Sequence, residues 1–545
     1  MKKKIISALL AAVMVFSLTA CGGGSDKKSA DGTYYNTYLD TDPTTMDPVK
    51  GNDTYSMGIL RNIMEPLTRL EEDGDKQERK GAGAESWESN DDGTVWTFHL
   101  RDNKWSDGEP VTADDYVYGM KQTLDPEAGS PNAFYITCIK NGEAIYNGEK
   151  DVSELGVKAV DDKTLEITLE YSVPYFLSLT DTRAMYPVRE DLVEKYGESY
   201  GANVESMVGC GPFKMTSWKR NSKIELEKNE NYWDKDSVKL DKVNYQIVSD
   251  QTARFNSFDS GSLDYVACAD KEWIGRFDKK DKVDVVEAPI PTVRYDFFNC
   301  QDKIFSNVNI RKAFTMAVNR EDMCSVIYND IHKPLYGWVP YSTSTGELGE
   351  YRDQVEEPLK SITEDPKELL LKGMQELGLG SDPSTLSITY TLSGTTEWTR
   401  NYAAYCQQMW EKILGVKVEL DFNEWGTFQS KTNNGEFQIA MMTWSIDYDD
   451  PMAMMEVFAG GSNMVPVFWQ NEQYDSLVAQ ARKEMDEKTR VDLYKQAENI
   501  LLAEDCVISP NVNECTHSYY YQYVKNYNKL ASSTSGLKYV DTSAR

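Results

Sequence analysis

The sequence predicts an α/β fold assembled from several domains that interrupt one another along the chain. Three observations lead there. Segments with strand alternation and segments with helical i, i+3, i+4 stripes succeed each other from end to end, which is the mixed α/β pattern. At 545 residues the chain is too long for one hydrophobic core, and length alone suggests roughly three domains. After the first 31 residues no Pro-, Gly- or Ser-rich linker separates one domain from the next, so the domains are expected to share elements.

The elements follow in order. Lys2 to Lys4, an apolar run from Ile5 to Leu18 and the small residues before Cys21 read as an export leader, too short to span a bilayer. Gly22 to Asp31 is a flexible polar tether. A strand is expected from Thr33 to Leu39 and a helix from about Tyr55 to Met64, with Met57, Leu60, Ile63 and Met64 on one face. Asn90-Asp-Asp-Gly93 signals a hairpin ahead of the alternating strand Val95 to Leu100, and Trp105-Ser-Asp-Gly108 a turn. Thr112 is placed to cap a helix with Asp115 at its third position, carrying Tyr116, Val117 and Met120 inward. Gly209-Cys-Gly-Pro-Phe213 punctuates the chain before a strand, Ile224 to Glu227 forms another, and residues 286 to 300 read as a third. Asn309 to Ala317 and Arg320 to Tyr328 are helical, the second capped by Asn319 with Asp322 three residues on. Tyr474, Leu477, Val478, Ala481 and Met485 form one core-facing stripe, and Tyr494, Ala497, Ile500 and Leu501 another.

One stretch carries chemistry. Phe437, Ile439, Met441 and Thr443 alternate with Gln438, Ala440 and Met442 as a strand that runs into Asp447, Asp449, Asp450 and Pro451, a proline that ends any ladder it joins. Asp447 thus stands at the lip of a sheet. Either these carboxylates bond their own turn backbone, or one of them holds a charge for a partner.

Composition removes several classes of function. A net charge of -30 without a basic stripe excludes nucleic acid as partner. Hydrophobic and aromatic contents of 40% and 11% fit a folded globular protein with a well-solvated acidic surface. Beyond Cys21 eight cysteines are scattered without framework spacing and read as buried thiols, and His99, His332 and His517 are too far apart in sequence to suggest a metal or cofactor site. Asp447 and Asp449 would also suit a glycosidase pair, which keeps an extracellular hydrolase as the rival class, but no H-E-x-x-H or P-loop signature occurs.

Four runs taken in order, Ala82 to Trp87, Trp96 to Tyr116, Gly209 to Phe213 with Asn229 to Trp233, and Val308 to Glu321, resemble the oligopeptide- and dipeptide-binding family of ABC-transporter solute receptors. Leu18-Thr-Ala-Cys21 resembles a bacterial lipobox, which implies cleavage before Cys21 and a lipid on its thiol. The resemblance implies a periplasmic-binding-protein-like fold of two lobes joined by hinge strands, with an additional third domain in the first lobe. Its boundaries would be 1–20 signal peptide, 21–31 lipidated tether, 32–64, 188–290 and 511–545 domain I, 65–187 domain II and 291–510 domain III. It implies a monomeric, non-enzymatic receptor on the outer face of the cytoplasmic membrane that passes oligopeptides to the permease subunits of an ABC importer, although the family also has members for nickel, haem and oligosaccharides. By the same resemblance Thr443, Trp444, Ser445 and Ile446 would bond the ligand backbone and Asp447 its α-ammonium. Asn52, Asp53 and Thr54 would close on it from the opposite lobe, and Trp425 would wall a pocket. Where relatives hold the ligand carboxylate with His and Arg this chain has Thr399, Thr432 and Met441, with Arg400 and Lys431 one residue away, and Asn132 stands where an aromatic is expected.

Overall fold

Two strands of unusual length tie the molecule together. Val283–Phe298 has 16 residues and Ile508–Tyr521 has 14, against about 5–6 for a common strand, and they pair antiparallel over most of that length. At one end they add Tyr265–Ala267; at the other, Val283–Phe298 pairs with Ile439–Ser445, followed outward by Ser387–Ser393 and Lys417–Asn423. A single seven-stranded sheet therefore runs from one lobe into the other. Its ladder is interrupted between Pro289 and Val293, where Pro289 and Pro291 supply no amide proton, and the Asn513 side chain bridges the gap by donating to the Ile290 carbonyl at 2.9 Å. The computed structural model describes residues 32–73, 76–460, 464–529 and 535–545; the leader, Cys21 and the tether lie outside them.

The absence of linkers has a direct cause. Tyr34–Leu39 pairs in parallel with Lys242–Ile247, and that sheet continues through Lys223–Lys228 to Phe213–Lys219. Between its first strand and the rest, the chain builds a separate four-stranded sheet from Ala84–Ser89, Val95–Leu100, Thr164–Thr168 and Val157–Asp161. The chain leaves one domain, makes another and returns.

Local signals hold where they are chemical. Thr54–Ile63 is capped by Asp53, Arg320–Tyr328 by Asn319, and the Thr112 amide donates to Asp115 Oδ2 at 2.8 Å at the start of Ala113–Leu124. Two expectations are corrected. Helix Glu472–Ala481 ends before Met485, which is 51% exposed and packs its sulfur against the Ser172 hydroxyl instead of the core. Strand Ile439–Ser445 does not alternate at its start: Ile439, Ala440 and Met441 are all buried, so both faces of the sheet are covered there. It ends at Ser445, and Pro451 introduces helix Met452–Met455 instead of terminating a ladder.

One buried carboxylate ties several distant segments of the chain together. Glu65 pairs with Arg69 and accepts from Tyr232 Oη at 3.0 Å and Trp233 Nε1 at 2.8 Å, while its carbonyl takes the Tyr116 hydroxyl. Removing it strands a buried guanidinium, a change that costs about 3–5 kcal/mol. Glu65→Ala is therefore expected to lower the urea midpoint markedly, and Glu65→Gln, which still accepts two of those bonds, to lower it less. Equal midpoints for all three proteins would contradict this account.

Candidate functional site

Where strand Ile439–Ser445 leaves the sheet, the Ile446 amide donates to the Pro291 carbonyl at 3.0 Å and the chain turns through three carboxylates. Each does something different. Asp450 is buried and fully engaged, its Oδ1 accepting from the Met452 amide and the Tyr494 hydroxyl, both at 2.8 Å, with Arg490 at 3.7 Å; this is the turn role. Asp449 accepts from the Ser344 amide at 2.8 Å, and burial pushes its carboxyl up to about 6. Among the described residues Asp447 bonds nothing of its own backbone and accepts only the Tyr135 hydroxyl, at 2.8 Å.

That bond crosses between lobes. Tyr135 sits in the short turn Ala133–Ile136 of the first lobe, 312 residues away in sequence. The Asp447 carboxylate touches the solvent of an open cavity while protein closes in around it, so burial pushes its pKa up, opposed by the Tyr135 hydroxyl and the positive Arg183. The cavity is small, about 130 Å³, and opens to solvent. Met57 and Arg61 reach it from helix Thr54–Ile63, Arg79, Asp181 and Arg183 from elsewhere in the first lobe, and Ile446 to Asp449 from the second. Arg79 pairs with Asp181 at 2.8 Å.

Asn132 explains how Arg183 is held. Its Oδ1 accepts from Arg183 Nε at 2.9 Å, and its Nδ2 faces the carbonyls of Pro48, Val49 and Gly51. In place of the expected aromatic, a buried amide fixes both the loop that leads to Asn52 and the cation near Asp447. Neither Tyr135 nor Arg183 was legible in the sequence, since their roles exist only across the lobe boundary.

The remaining sequence candidates divide. Thr443 and Ser445 are exposed on one face of their strand, while Trp444 and Ile446 are half-buried. Only Ile439 and Ala440 pair with Ser387–Ser393, so from Met441 to Ser445 that side of the strand carries no partner among the described residues. Asn52 and Thr54 are exposed, but the Asp53 carboxylate is committed to its helix cap, accepting from the Ser56 amide at 2.7 Å and the Thr44 hydroxyl, which leaves the backbone alone for a ligand. Trp425 is 50% exposed and stacked on Phe428, which removes the core reading. Thr399 and Thr432 are both buried, with hydroxyls bonded inside their own helices, to Thr396 Oγ1 at 2.8 Å and to the Phe428 carbonyl at 3.0 Å. Met441 is buried as well, and Lys431 is paired with Asp421. None of these forms a carboxylate clamp.

The spacing G-x-S-x-G does occur once, at Gly197-Glu-Ser-Tyr-Gly201, but it follows helix Glu190–Tyr196 as a tight turn, with no strand before it and no base hydrogen-bonded to the Ser199 hydroxyl among the described residues. Among those residues no helix is long and apolar enough to cross a membrane, and no cluster of metal-ligating side chains is present.

Known proteins resemble the chain over nearly all its length. The family model described as bacterial extracellular solute-binding proteins, family 5 Middle, matches residues 78–465. The dipeptide-binding protein DppE of Bacillus subtilis is 36% identical over 518 residues, covering 93% of each chain, and the oligopeptide-binding protein OppA of the same organism is 35% identical over 526 residues, covering 92% of this chain and 93% of that one. The structure of Listeria monocytogenes OppA bound to peptide superposes with a TM-score of 0.77 at 29% identity, covering 94% of this chain and 99% of the other.

The raised carboxyl of Asp449 has a thermodynamic sign. A folded-state value of about 6 against an ordinary carboxyl means that the folded protein holds this proton more tightly than the unfolded chain does. The stability it contributes is present in acid and lost as pH rises through about 6. Asp449→Asn keeps an acceptor for the Ser344 amide without the charge, so it is expected to raise the melting temperature at pH 7.5, with the gain shrinking between pH 6 and pH 4. Calorimetric scans across that range decide; a gain independent of pH would mean that the charge of Asp449 is not what is being relieved.

Proposed function

Because this chain belongs to the family 5 bacterial extracellular solute-binding proteins, we propose that it is a receptor that captures oligopeptides between its lobes and hands them to an ABC importer. The observation that carries this reading is the conjunction at Thr443 to Asp447. An open strand side leads to a carboxylate that lies in an inter-lobe cavity and is only half compensated by the protein. A peptide supplies what both lack. Its main chain can add to the open strand side as an extra strand whatever its sequence, and its α-ammonium brings the positive charge that a desolvated carboxylate requires. Thr443, Trp444 and Ser445 are the backbone partners in this reading, Ile446 and Asp447 the amino-terminal anchor, and Asn52 and Thr54 the first-lobe side, with Trp425 as a more distant wall.

The same reading places a lipid on the Cys21 thiol, with residues 22–31 as the tether that holds a monomeric receptor on the outer face of the cytoplasmic membrane, within reach of a permease. By random-coil scaling about ten residues span roughly 17 Å, enough for that purpose. Cys21→Ala is expected to release the receptor into the medium, as followed by fractionation; a variant that stays membrane-bound and fully processed contradicts the anchor.

Asp447 gives the decisive test. Losing one member of a buried charge pair costs about 3–5 kcal/mol, so Asp447→Ala is expected to weaken peptide binding by roughly 10² to 10³-fold or more. Acetylating the peptide should do similar damage, and the two losses should not add, because both delete one interaction. Calorimetry with one peptide and its acetylated form settles the point. Equal binding of both by the parent protein, or a mutant that still prefers the free amine, reduces Asp447 to a turn residue.

A further inference from the structure

A second inter-lobe cavity, about 130 Å³, adjoins the first, since Tyr135 and Tyr448 line both. The second lobe brings Tyr448, Glu456 and Arg482 to it. The first lobe brings the rings of Phe134, Tyr135, Tyr171 and Tyr175, the Cys138 thiol and the Glu143 carboxylate. No residue that the first lobe sets along this cavity is a cation, whereas around Asp447 the same lobe supplies Arg61, Arg79 and Arg183.

Glu456 is only partly served by its own lobe. Its Oε1 accepts the Tyr448 hydroxyl at 2.8 Å, and Arg482, at the end of helix Glu472–Ala481, stands 3.5 Å from Oε2. Its side chain keeps 24% of its surface open and lines the cavity. Asp447 and Asp450, on the turn before it, add negative charge. The first lobe covers this group without compensating it: Tyr175 stacks on Tyr448 at 5.0 Å, and Tyr171 faces Lys483 of the second lobe at 5.1 Å. Closing the lobes thus takes water from the Glu456 carboxylate and sets Glu143 along the same cavity, with no cation supplied in return.

We propose that Glu456 makes lobe closure proton-linked, so that acid draws the empty receptor closed and neutral pH releases it. The inference rests on the reading of the lobes as closing around a ligand, but it concerns the empty form. An ionised carboxylate loses its hydration on closure, and a protonated one loses far less. In the closed structure burial pushes the Glu456 carboxyl above its ordinary value, opposed by the Tyr448 hydroxyl and Arg482 and reinforced by the charges of Asp447 and Asp450. The closed form therefore holds this proton more tightly than an open form whose first-lobe walls are withdrawn. Its contribution to closure is present in acid and lost as pH rises through the raised value. Acid also removes the charge that a peptide ammonium needs at Asp447, so both effects confine capture to neutral surroundings.

The test follows the full chain without peptide by small-angle scattering at pH 7.5 and pH 5. The parent protein is expected to contract in acid, its closed-to-open ratio rising about threefold or more. Glu456→Gln still accepts from Tyr448 but carries no charge, so it should be contracted already at pH 7.5 and lose most of the response. What response is left belongs to Asp447 and Asp449, which lie between the same lobes. Should that variant fail to fold, Glu143→Gln, a change at an exposed residue of the facing lobe, decides in its place by raising the closed fraction at pH 7.5. A parent that does not contract in acid, or a folded variant that responds as the parent does, overturns the inference. Contraction on saturation with tetra-alanine would then show that the lobes still close, and the capture reading would stand. A radius that neither acid nor peptide alters takes both readings down.

Discussion

The half-compensated charge of Asp447 sets the terms for the rest of the cleft. A carboxylate enclosed by protein must be paid for, and the two obvious ways of doing so would each spoil a receptor. Full pairing, as Asp450 enjoys from the Met452 amide, Tyr494 and Arg490, would leave a ligand to compete with the protein's own groups. No pairing at all would drive the group to hold a proton and offer no charge. The structure takes an intermediate course: one hydroxyl from Tyr135, a guanidinium nearby on Arg183, and a face left open to the cavity. Arg183 can act at that distance only because the buried Asn132 amide holds it, and the same amide fixes the loop before Asn52. Recognition and scaffold are therefore joined in one hydrogen-bond network that begins at a charge.

Because Tyr135 belongs to one lobe and Asp447 to the other, this network also couples binding to closure. The other contacts between the same two regions are modest: Tyr175 stacks on Tyr448 at 5.0 Å, Lys483 lies 5.1 Å from the Tyr171 ring, and Met485 meets Ser172. Contacts of this kind are each worth about 1 kcal/mol. A ligand shifts a two-state equilibrium only by its differential affinity, so a closed form held by a few such contacts leaves ligand bonds on both sides of the cleft to decide the balance. The sheet's ladder is weakest between Pro289 and Val293, where the prolines have no amide proton to give and only the Asn513 side chain and the Ile446 amide bond the intervening carbonyls.

How much of this was legible in the sequence follows from how local each cause is. Caps such as Asp53, Asn319 and Thr112 act within four residues, and the elements they start were placed to within a residue or two. The stretch 286–300 read as a strand, but its pairing with Ile508–Tyr521 and its interruption are properties of two segments more than 200 residues apart. Alternation failed for Ile439 to Met441 because both faces of the sheet are covered there, which no local pattern reveals. Thr399 and Thr432 were chosen by correspondence with relatives, and correspondence does not reveal that a hydroxyl has turned back onto its own helix. Asn132 looked like a missing aromatic, whereas the position requires an amide able to donate and accept at once.

These features together explain how a receptor can be strict about what a ligand is and indifferent to which one it is. Main-chain pairing along Met441 to Ser445 depends on the backbone alone, which every peptide shares, and on extension, which excludes compact solutes. In the proposed reading the charge of Asp447 fixes polarity, since a ligand carboxylate set against it would be repelled. What lies between is left to a cavity whose ionised side chains are balanced, Arg61, Arg79 and Arg183 against Asp181, Asp447 and Asp449, so that no sign of ligand side chain is favoured by net charge. Selectivity in such a site resides at its ends, and the middle remains free to admit whatever side chains the peptide carries.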